Sequence, residues 1–365
     1  QFASSAASDV YKRQIYAKAG FGTQLTPLFQ AYYSSGRSEK INFGAAVDFI
    51  SSNGKLANQN YIDSDVKVFG KYFLESAAIS ADLSYSGDVF HYYGLEDGDT
   101  TEYNSDDVKQ RFHRFGFNLG VENTKENKAQ FGYKGGLRYS GLSDINKFGE
   151  HTAGLGAHLN KTFKKKFDVH AKIDMDYTTY SGPYDTSSLI FGLNPWLEMN
   201  RKSWGFRAGF NFELDGDKLV IFPDLYFYKN LLKDNLVFYA GWTRGIENNS
   251  YQTLSAVNPF VSDSLRFANS TLEERYAGFR GTIASKFSYN VKIANKVSRD
   301  MPFFVNALIN DSTINAQRFD VIYDTTNALN IHGELAYAIS EKFNVAVGID
   351  YHTFFKIRTE EEAWH

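Results

Sequence analysis

The chain of 365 residues contains no cysteine and only six prolines. The missing thiols exclude disulfides, thiol nucleophiles and cysteine-based metal sites. No run of about eighteen apolar residues occurs, which excludes an ordinary membrane-spanning helix, and helical spacing of apolar residues is sustained nowhere. The formal net charge is only −3, so the charge balance gives no reason to expect a nucleic-acid partner.

Aromatic residues are abundant instead. The chain has 24 Tyr and 32 Phe, its aromatic share is 16%, and its mean hydropathy is −0.39. A membrane strand of a β-barrel needs apolar side chains only at alternate positions, so a barrel can be hydrophilic on average and still face lipid.

Residues 203–214 show the strongest pattern in the chain. Large apolar residues and alanine occupy the even positions, and small or polar residues occupy the odd ones. Side chains on a strand point to opposite faces in turn, so the segment reads as a strand with one apolar face. A tilted strand needs about 9–11 residues to cross a bilayer, whereas soluble strands are nearer five or six. The length of this segment therefore favours a membrane strand.

The same alternation recurs along most of the chain. Clear examples are residues 41–50, 65–73, 78–90, 111–122, 129–140, 150–160, 167–178, 328–339 and 343–353. Less regular candidates are residues 218–228, 272–284 and 303–310. The sequence predicts about 19 strands between residues 15 and 355.

The links between these strands alternate in length. Short charged turns include residues 74–77, 161–166 and 200–202, whereas 91–110 and 245–271 are long. Two further short links, 215–217 and 324–327, interrupt the rule. Short periplasmic turns and longer extracellular loops are typical of outer-membrane barrels, so the two long links are predicted to be extracellular. A soluble propeller is the alternative, but its strands are shorter and its blades repeat at a fixed period, which is not visible here. The predicted fold is all-β, a large antiparallel transmembrane β-barrel.

Two blocks of strand and turn residues carry a family likeness. The first contains Ala17-Lys18-Ala19-Gly20-Phe21-Gly22, Ser34-Ser35-Gly36-Arg37-Ser38 and Val68-Phe69-Gly70-Lys71-Tyr72-Phe73. The second contains Phe222-Pro223-Asp224-Leu225, Asn249-Ser250-Tyr251 and Asn258-Pro259-Phe260-Val261. Together they resemble a group of Bacteroidota outer-membrane barrels commonly placed with TonB-dependent receptors. The resemblance implies the outer membrane of a bacterial cell, contact with outer-membrane lipid, uptake of an unknown solute and coupling to the TonB complex through a plug domain.

The sequence also departs from that family. It has no TonB box, no N-terminal plug and fewer strands than the 22 of the transporters. Residues 1–14 resemble translated sequencing-adapter read-through and are expected to be a non-native or disordered leader. The acidic end, 360–365, lacks the terminal aromatic strand that is typical of such barrels. Residues 15–365 are therefore expected to be an incomplete barrel, truncated at the C-terminus.

The polar face of the strands supplies candidate lumen-lining residues. These are Arg114, Lys134, Arg138, Asp168, His170, Lys172, Asp174, Asp176, Arg207 and Glu213. They are interpreted either as a hydrated channel or plug-docking wall whose charges tune selectivity, or as a solvated wall without a specific ligand. Asp168 and His170 lie on the same face, and some outer-membrane proteases use an Asp–His pair. No matching second carboxylate pair at a barrel mouth accompanies them here, so the pair does not predict a protease. The sequence predicts no enzyme, no cofactor and no metal site.

Aromatic side chains near the predicted outer strand ends form a second candidate set. Its members are His91, Tyr92, Tyr93, Trp242 and Tyr251. They fit an interfacial girdle or a stacking platform that contacts a ligand from outside. The leading function is solute uptake, and the alternatives are a passive porin-like channel and a barrel that scaffolds a surface or assembly complex.

Overall fold

The computed structural model describes residues 14–358 except 37–38, 93–104, 107, 126, 164–165, 234, 263–264, 285, 307–317 and 341–342. This part of the chain contains seventeen strands and one short helix. The strands are β1 Gln14–Gly22, β2 Thr26–Ser34, β3 Ile41–Ser52, β4 Tyr61–Phe73, β5 Ala77–His91, β6 Lys109–Asn123, β7 Phe131–Asp144, β8 Gly149–Phe163, β9 Phe167–Ser181, β10 Thr186–Asn200, β11 Trp204–Asp215, β12 Lys218–Asn230, β13 Val237–Glu247, β14 Ser270–Ile283, β15 Phe287–Asn306, β16 Phe319–Ser340 and β17 Phe343–Arg358. The helix α1, Tyr251–Val257, lies between β13 and β14.

All seventeen strands belong to one sheet, and consecutive strands pair antiparallel from β1–β2 to β16–β17. This confirms the predicted all-β antiparallel class and disagrees with a propeller, whose strands divide into separate blades. Among the described residues, no helix has both the length and the apolar character needed to cross a membrane.

The two faces of the sheet differ as the alternation predicts. Leu83, Phe210 and Val347 lie on one face and are each more than half exposed. The other face carries polar residues such as Arg138 and Asp176, which form an ion pair. Exposed large apolar side chains occur on almost every strand of the first face. A continuous apolar surface of this extent is what lipid contact requires.

The four longest strand links lie at the same end of the sheet, as predicted, but the strict alternation in length is wrong, because the links 145–148, 182–185 and 216–217 at that end are as short as links at the opposite end. One end of the sheet, here called the mouth end, carries the links 53–60, 92–108, 248–269 and 307–318. At the opposite end the longest link is 124–130. The predicted long links 91–110 and 245–271 correspond to 92–108 and 248–269, because the strands extend further than their alternation indicates.

The predicted strand count of about 19 is wrong for the described residues. The difference arises in β15 and β16, which are 20 and 22 residues long. The register of their pairing shifts between Ser298 and Met301, where Asp300 has φ of 53°. A bulge lets a strand continue past a polar, bent segment. For the same reason the predicted link 324–327 is not a turn but lies within β16.

The main cluster of buried residues lies at the mouth end. The link 248–269, here called the mouth loop, leaves β13 and packs against residues of β6, β7 and β9. Contact with strands so distant in the sheet order requires the sheet to curve around the loop. The face that contacts the mouth loop is here called the interior face.

Candidate functional site

The mouth loop is held in shape by its own short helix. Ser250 has an extended backbone, and its side chain accepts a hydrogen bond from the Thr253 backbone N–H. The Thr253 hydroxyl in turn accepts a bond from the Ser250 backbone N–H, at 2.8 Å. This reciprocal capping box satisfies two N–H groups that the first turn leaves without helical partners.

Aromatic packing fixes the helix against the interior face. Tyr251 is fully buried, and its ring lies 5.9 Å from Phe112 of β6 and 5.5 Å from Tyr180 of β9. Leu254 and Leu142 belong to the same cluster. Burying large aromatic side chains is among the strongest local contributions to folding, so this cluster anchors the mouth loop.

Polar contacts surround the aromatic cluster. The Tyr251 hydroxyl donates to Asp144 Oδ2 at 3.1 Å, and the Gln252 backbone N–H donates to Glu150 Oε2 at 3.3 Å. The Arg114 guanidinium donates to Ser255 Oγ at 3.2 Å and also pairs with Asp88. Charged hydrogen-bond partners are stronger than neutral ones, and they fix one position of the loop against three strands.

The far end of the mouth loop contacts the opposite side of the interior. Val261 forms an isolated parallel bridge with Phe319, the first residue of β16. The ring of Phe260 lies 5.1 Å from Phe90 and 5.7 Å from Tyr92. The loop therefore extends across the mouth between β5 and β16.

A cavity of about 790 Å³, lined by both polar and apolar side chains, lies between the mouth loop and the strands. The loop contributes Asn248, Gln252 and Thr253, and the strands contribute hydroxyl, amide and charged groups of both signs. Among the latter are Ser84, Ser86, Arg114, Asn118, Arg138 and Asp176. A second cavity of about 430 Å³ on the other side of the loop is lined by Thr178, Asp215 and Asn269. Cavities of these sizes match those that hold small organic ligands.

Ion pairs continue from the cavity along the interior face. Arg138 binds Asp176 through two hydrogen bonds of 2.8 and 2.6 Å. Lys172 Nζ lies 2.7 Å from Asp174 Oδ2. These side chains are about one-third to one-half exposed, so each pair contributes little to stability and remains available to water or solute.

The ten candidate lumen residues all lie on the interior face. Arg207 pairs with Asp224 at 3.3 Å, and Lys134 Nζ lies 3.9 Å from Glu122. Glu213 lines a smaller cavity together with Arg138, Lys172, Asp174 and Asp176. Asp168 and His170 are bonded to different neighbours, Thr162 and His158 respectively. Within the set, the structure pairs Arg138 with Asp174 and Asp176, and Lys172 with Asp174, whereas Arg114, Lys134 and Arg207 pair with acids outside it.

The four candidate ligand-contacting residues that the structure describes, His91, Tyr92, Trp242 and Tyr251, are not brought together on one exposed surface. Tyr251 is fully buried, so its ring has no surface that could contact a ligand in this conformation. His91 and Tyr92 are also buried, at 4% and 3% exposure, and Tyr93 lies outside the described residues. Trp242 is 37% exposed on the outward side, where its Nε1 donates to Glu273 at 2.9 Å and Arg275 lies over its ring.

Several residues of the site could not be predicted from the sequence. Asp144 and Glu150 are buried acids beneath the mouth loop. In the sequence they occupy polar positions of alternating strands, and the alternation does not distinguish a buried acid from a solvent-exposed one. Their only sequence signal is proximity to strand ends. The partner loop is remote in sequence, so its insertion between the strands could not be read from local pattern.

The chain is similar to known proteins in its structure. No family model and no curated protein matches the sequence. The siderophore receptor PirA from Pseudomonas aeruginosa matches with a TM-score of 0.65 and 9% identity, over 90% of this chain and 63% of that one. The FrpB iron transporter from Neisseria meningitidis gives a TM-score of 0.68 and 8% identity, over 94% and 62%. The pyoverdine outer membrane receptor FpvA from Pseudomonas aeruginosa gives 0.64 and 8%, over 96% and 62%.

This chain spans less than two thirds of the length of each of these neighbours. At such low identity the similarity concerns the fold alone. The chain has the fold of the barrel wall of outer-membrane receptors.

Proposed function

We propose that the protein takes up a polar solute across the bacterial outer membrane, in the manner of a TonB-dependent receptor. The observation that carries this proposal is the cavity beneath the mouth loop, with charged and hydroxyl groups in its lining, inside a curved sheet with a receptor-type fold. The cavity offers mixed charges and hydroxyls to a solute, and the loop separates it from the mouth end. A receptor needs such a binding space before any energy-coupled step.

Location in the outer membrane follows from the outward face. Exposed apolar residues occupy alternate positions on long antiparallel strands. Tyr85 and Tyr139 lie near the mouth end of this face, and each hydroxyl is 2.8 Å from the imidazole of His113 or His151 on the next strand. Amphipathic aromatic rings are typical of the membrane–water boundary, so we place this boundary at the two tyrosines.

We assign the mouth end to the cell exterior, and cysteine labelling tests this assignment. Val257→Cys is the outer probe because Val257 is 75% exposed in the mouth loop. Leu232→Cys is the matched inner probe because Leu232 is 63% exposed in the short link 231–236. On intact cells, an impermeant maleimide should label Val257→Cys and should reach Leu232→Cys only after permeabilisation. The protein has no native thiol to interfere. Labelling of Leu232→Cys alone would invert the topology.

The passive porin alternative makes a different electrical prediction. A porin keeps a permanently open aqueous channel, whereas the mouth loop here crosses the interior between β5 and β16. The intact protein in a planar bilayer with KCl should therefore show no steady conductance at low voltage. A stable ohmic conductance would favour the porin.

Energy dependence separates the receptor from the scaffold alternative. Ferric siderophores are suitable first probes because PirA and FpvA are siderophore receptors. A strain that carries the intact gene should accumulate a ferric siderophore or another scarce polar solute, and a proton uncoupler should stop accumulation. Arg138→Ala, which changes the cavity, should reduce import more than Arg280→Ala, which lies away from it. If the strain with the intact gene accumulates no more ferric chelate or oligosaccharide than a strain that lacks the gene, the scaffold alternative is favoured.

The same proposal assigns no catalytic role to the chain. Arg138 and Lys172 of the interior face are paired with Asp176 and Asp174, and Asp168 and His170 are hydrogen-bonded to Thr162 and His158 rather than to each other. The similar structures are transport receptors rather than enzymes.

A further inference from the structure

Four neighbouring strands place a row of stacked side chains on the interior face, below the cavity. His170 of β9 lies opposite Trp196 of β10, and their rings are parallel within 3° with centroids 4.6 Å apart. His158 of β8 lies over the same indole, at 5.2 Å and 12°. The Arg207 guanidinium of β11 is 5.9 Å from the Trp196 ring. The row is independent of the mouth loop.

The two imidazoles meet through a direct nitrogen–nitrogen contact. His158 Nε2 and His170 Nδ1 are 3.1 Å apart in hydrogen-bond geometry. Their ring planes differ by 13°, and the centroids are 5.3 Å apart, so the rings meet edge to edge. The pairing of Asn160 with His170 and of His158 with Lys172 explains this arrangement. His158 and His170 are diagonal neighbours on one face, close enough for such side chains to touch.

We propose that His158 and His170 form a binding site for a divalent d-block cation such as Cu²⁺ or Zn²⁺. Imidazole nitrogens bind these ions at about 2.0–2.1 Å, so two of them around a tetrahedral ion stand about 3.3 Å apart. His158 Nε2 and His170 Nδ1, 3.1 Å apart, therefore already have nearly the required separation. The two rings only need to rotate so that both nitrogens point at the same ion. Each neutral imidazole can carry its proton on the nitrogen that faces away, which leaves both facing nitrogens free as ligands.

The surrounding charges tolerate a cation. Lys172 is paired with Asp174, Arg207 with Asp224, and Lys134, which lies opposite His158, with Glu122, so each basic group near the imidazoles has an acidic partner. Asp168 lies two residues from His170 on the same face, opposite Glu198, and these carboxylates lower the local potential. Both effects reduce the electrostatic cost of binding a divalent ion.

The protein supplies two ligands to this site. No group of three or more His, Cys, Asp or Glu with metal-binding geometry occurs among the described residues. The remaining coordination positions are therefore open to water or to a chelator in the lumen. Affinity should follow the usual order of divalent ions, with Cu²⁺ binding more tightly than Zn²⁺.

Metal titration of the full chain, folded in detergent micelles, tests the site. Cu²⁺ and Zn²⁺ are added separately, and binding is followed by calorimetry and by tryptophan fluorescence. Cu²⁺ should quench Trp196, which stacks on both imidazoles. His158→Gln and His170→Gln should each weaken binding about tenfold or more, since even indirect supports of metal ligands have effects of that size. Trp196→Phe should keep the heat of binding and lose most of the quenching.

His151→Gln is the matched control, because His151 lies on the outward face beside Tyr139. It should bind Cu²⁺ with unchanged affinity, and circular dichroism of every variant should match that of the parent chain. The proposal is overturned if the parent chain binds neither ion at millimolar concentration. It is also overturned if His158→Gln and His170→Gln bind as the parent does, or if His151→Gln loses affinity equally.

Discussion

Leu83→Arg should destabilise the protein in lipid vesicles by about 1–2 kcal/mol, because an arginine on the lipid face costs about 2–4 kcal/mol at the midplane and less towards the boundary at Tyr85. Leu83 is 55% exposed and lies in an outward apolar groove with Val68 and Phe117. Val68 and Phe117 offer no polar group to the guanidinium, and the hydroxyls of Tyr85 and Tyr139, which also line the groove, are already bonded to His113 and His151. Reversible unfolding by denaturant of the intact protein in vesicles measures this free energy.

Asn118→Arg is the matched control for sidedness. Asn118 pairs with Asp82, the residue next to Leu83, but its side chain points to the interior and donates to Asp82 Oδ2 at 2.9 Å. An arginine there exchanges a hydrogen bond for an ion pair in water and should change the free energy of unfolding by about 0.5 kcal/mol or less. Similar losses for the two variants would mean that the faces of the sheet are assigned incorrectly.

Tyr251→Ala should release the mouth loop. The substitution removes a fully buried ring that packs on Phe112 and Tyr180, a loss of about 3–5 kcal/mol for large aromatic residues. The equilibrium constant between the closed and the released loop should shift towards the released loop by about a hundredfold or more. Trypsin should then cut after Arg266, an exposed residue of the loop, and the variant should conduct KCl where the parent does not. Fragment masses identify the cut.

Tyr251→Phe separates packing from hydrogen bonding. It keeps the ring and removes only the bond to Asp144, which should cost about 1 kcal/mol. Its loop should therefore stay closed to trypsin. If Tyr251→Ala resists trypsin as well as the parent chain does, the aromatic cluster does not hold the mouth loop.

Strand positions and faces were predictable because each strand follows a rule of period two. Residues 203–214 illustrate this: the structure forms β11 over Trp204–Asp215 and places Phe210 outward and Asn211 inward, where Asn211 donates to the Arg244 carbonyl. The rule failed where the backbone bends without ending a strand. The polar residues around Asp300 resemble a turn, and only the pairing of β15 with β16 reveals a bulge.

The site was less predictable than the wall, because its parts come from distant segments. Tyr251 and Ser255 resemble exposed loop residues in sequence, yet both are buried at 1% exposure or less by contacts with β6 and β7. His158 and Trp196 are each unremarkable in their own strands. Their stacking depends on cross-strand register, which a single strand pattern does not fix.

The lengths of β15 and β16 give the barrel a rim of unequal height. Strands rise about 3.3 Å per residue, so a strand of 22 residues tilted by about 40° climbs roughly 55 Å, well above an apolar band of about 25 Å. β1 and β2 have nine residues each and are joined by the short link 23–25. The rim that a solute meets at the mouth is therefore higher at β15 and β16 than at β1 and β2.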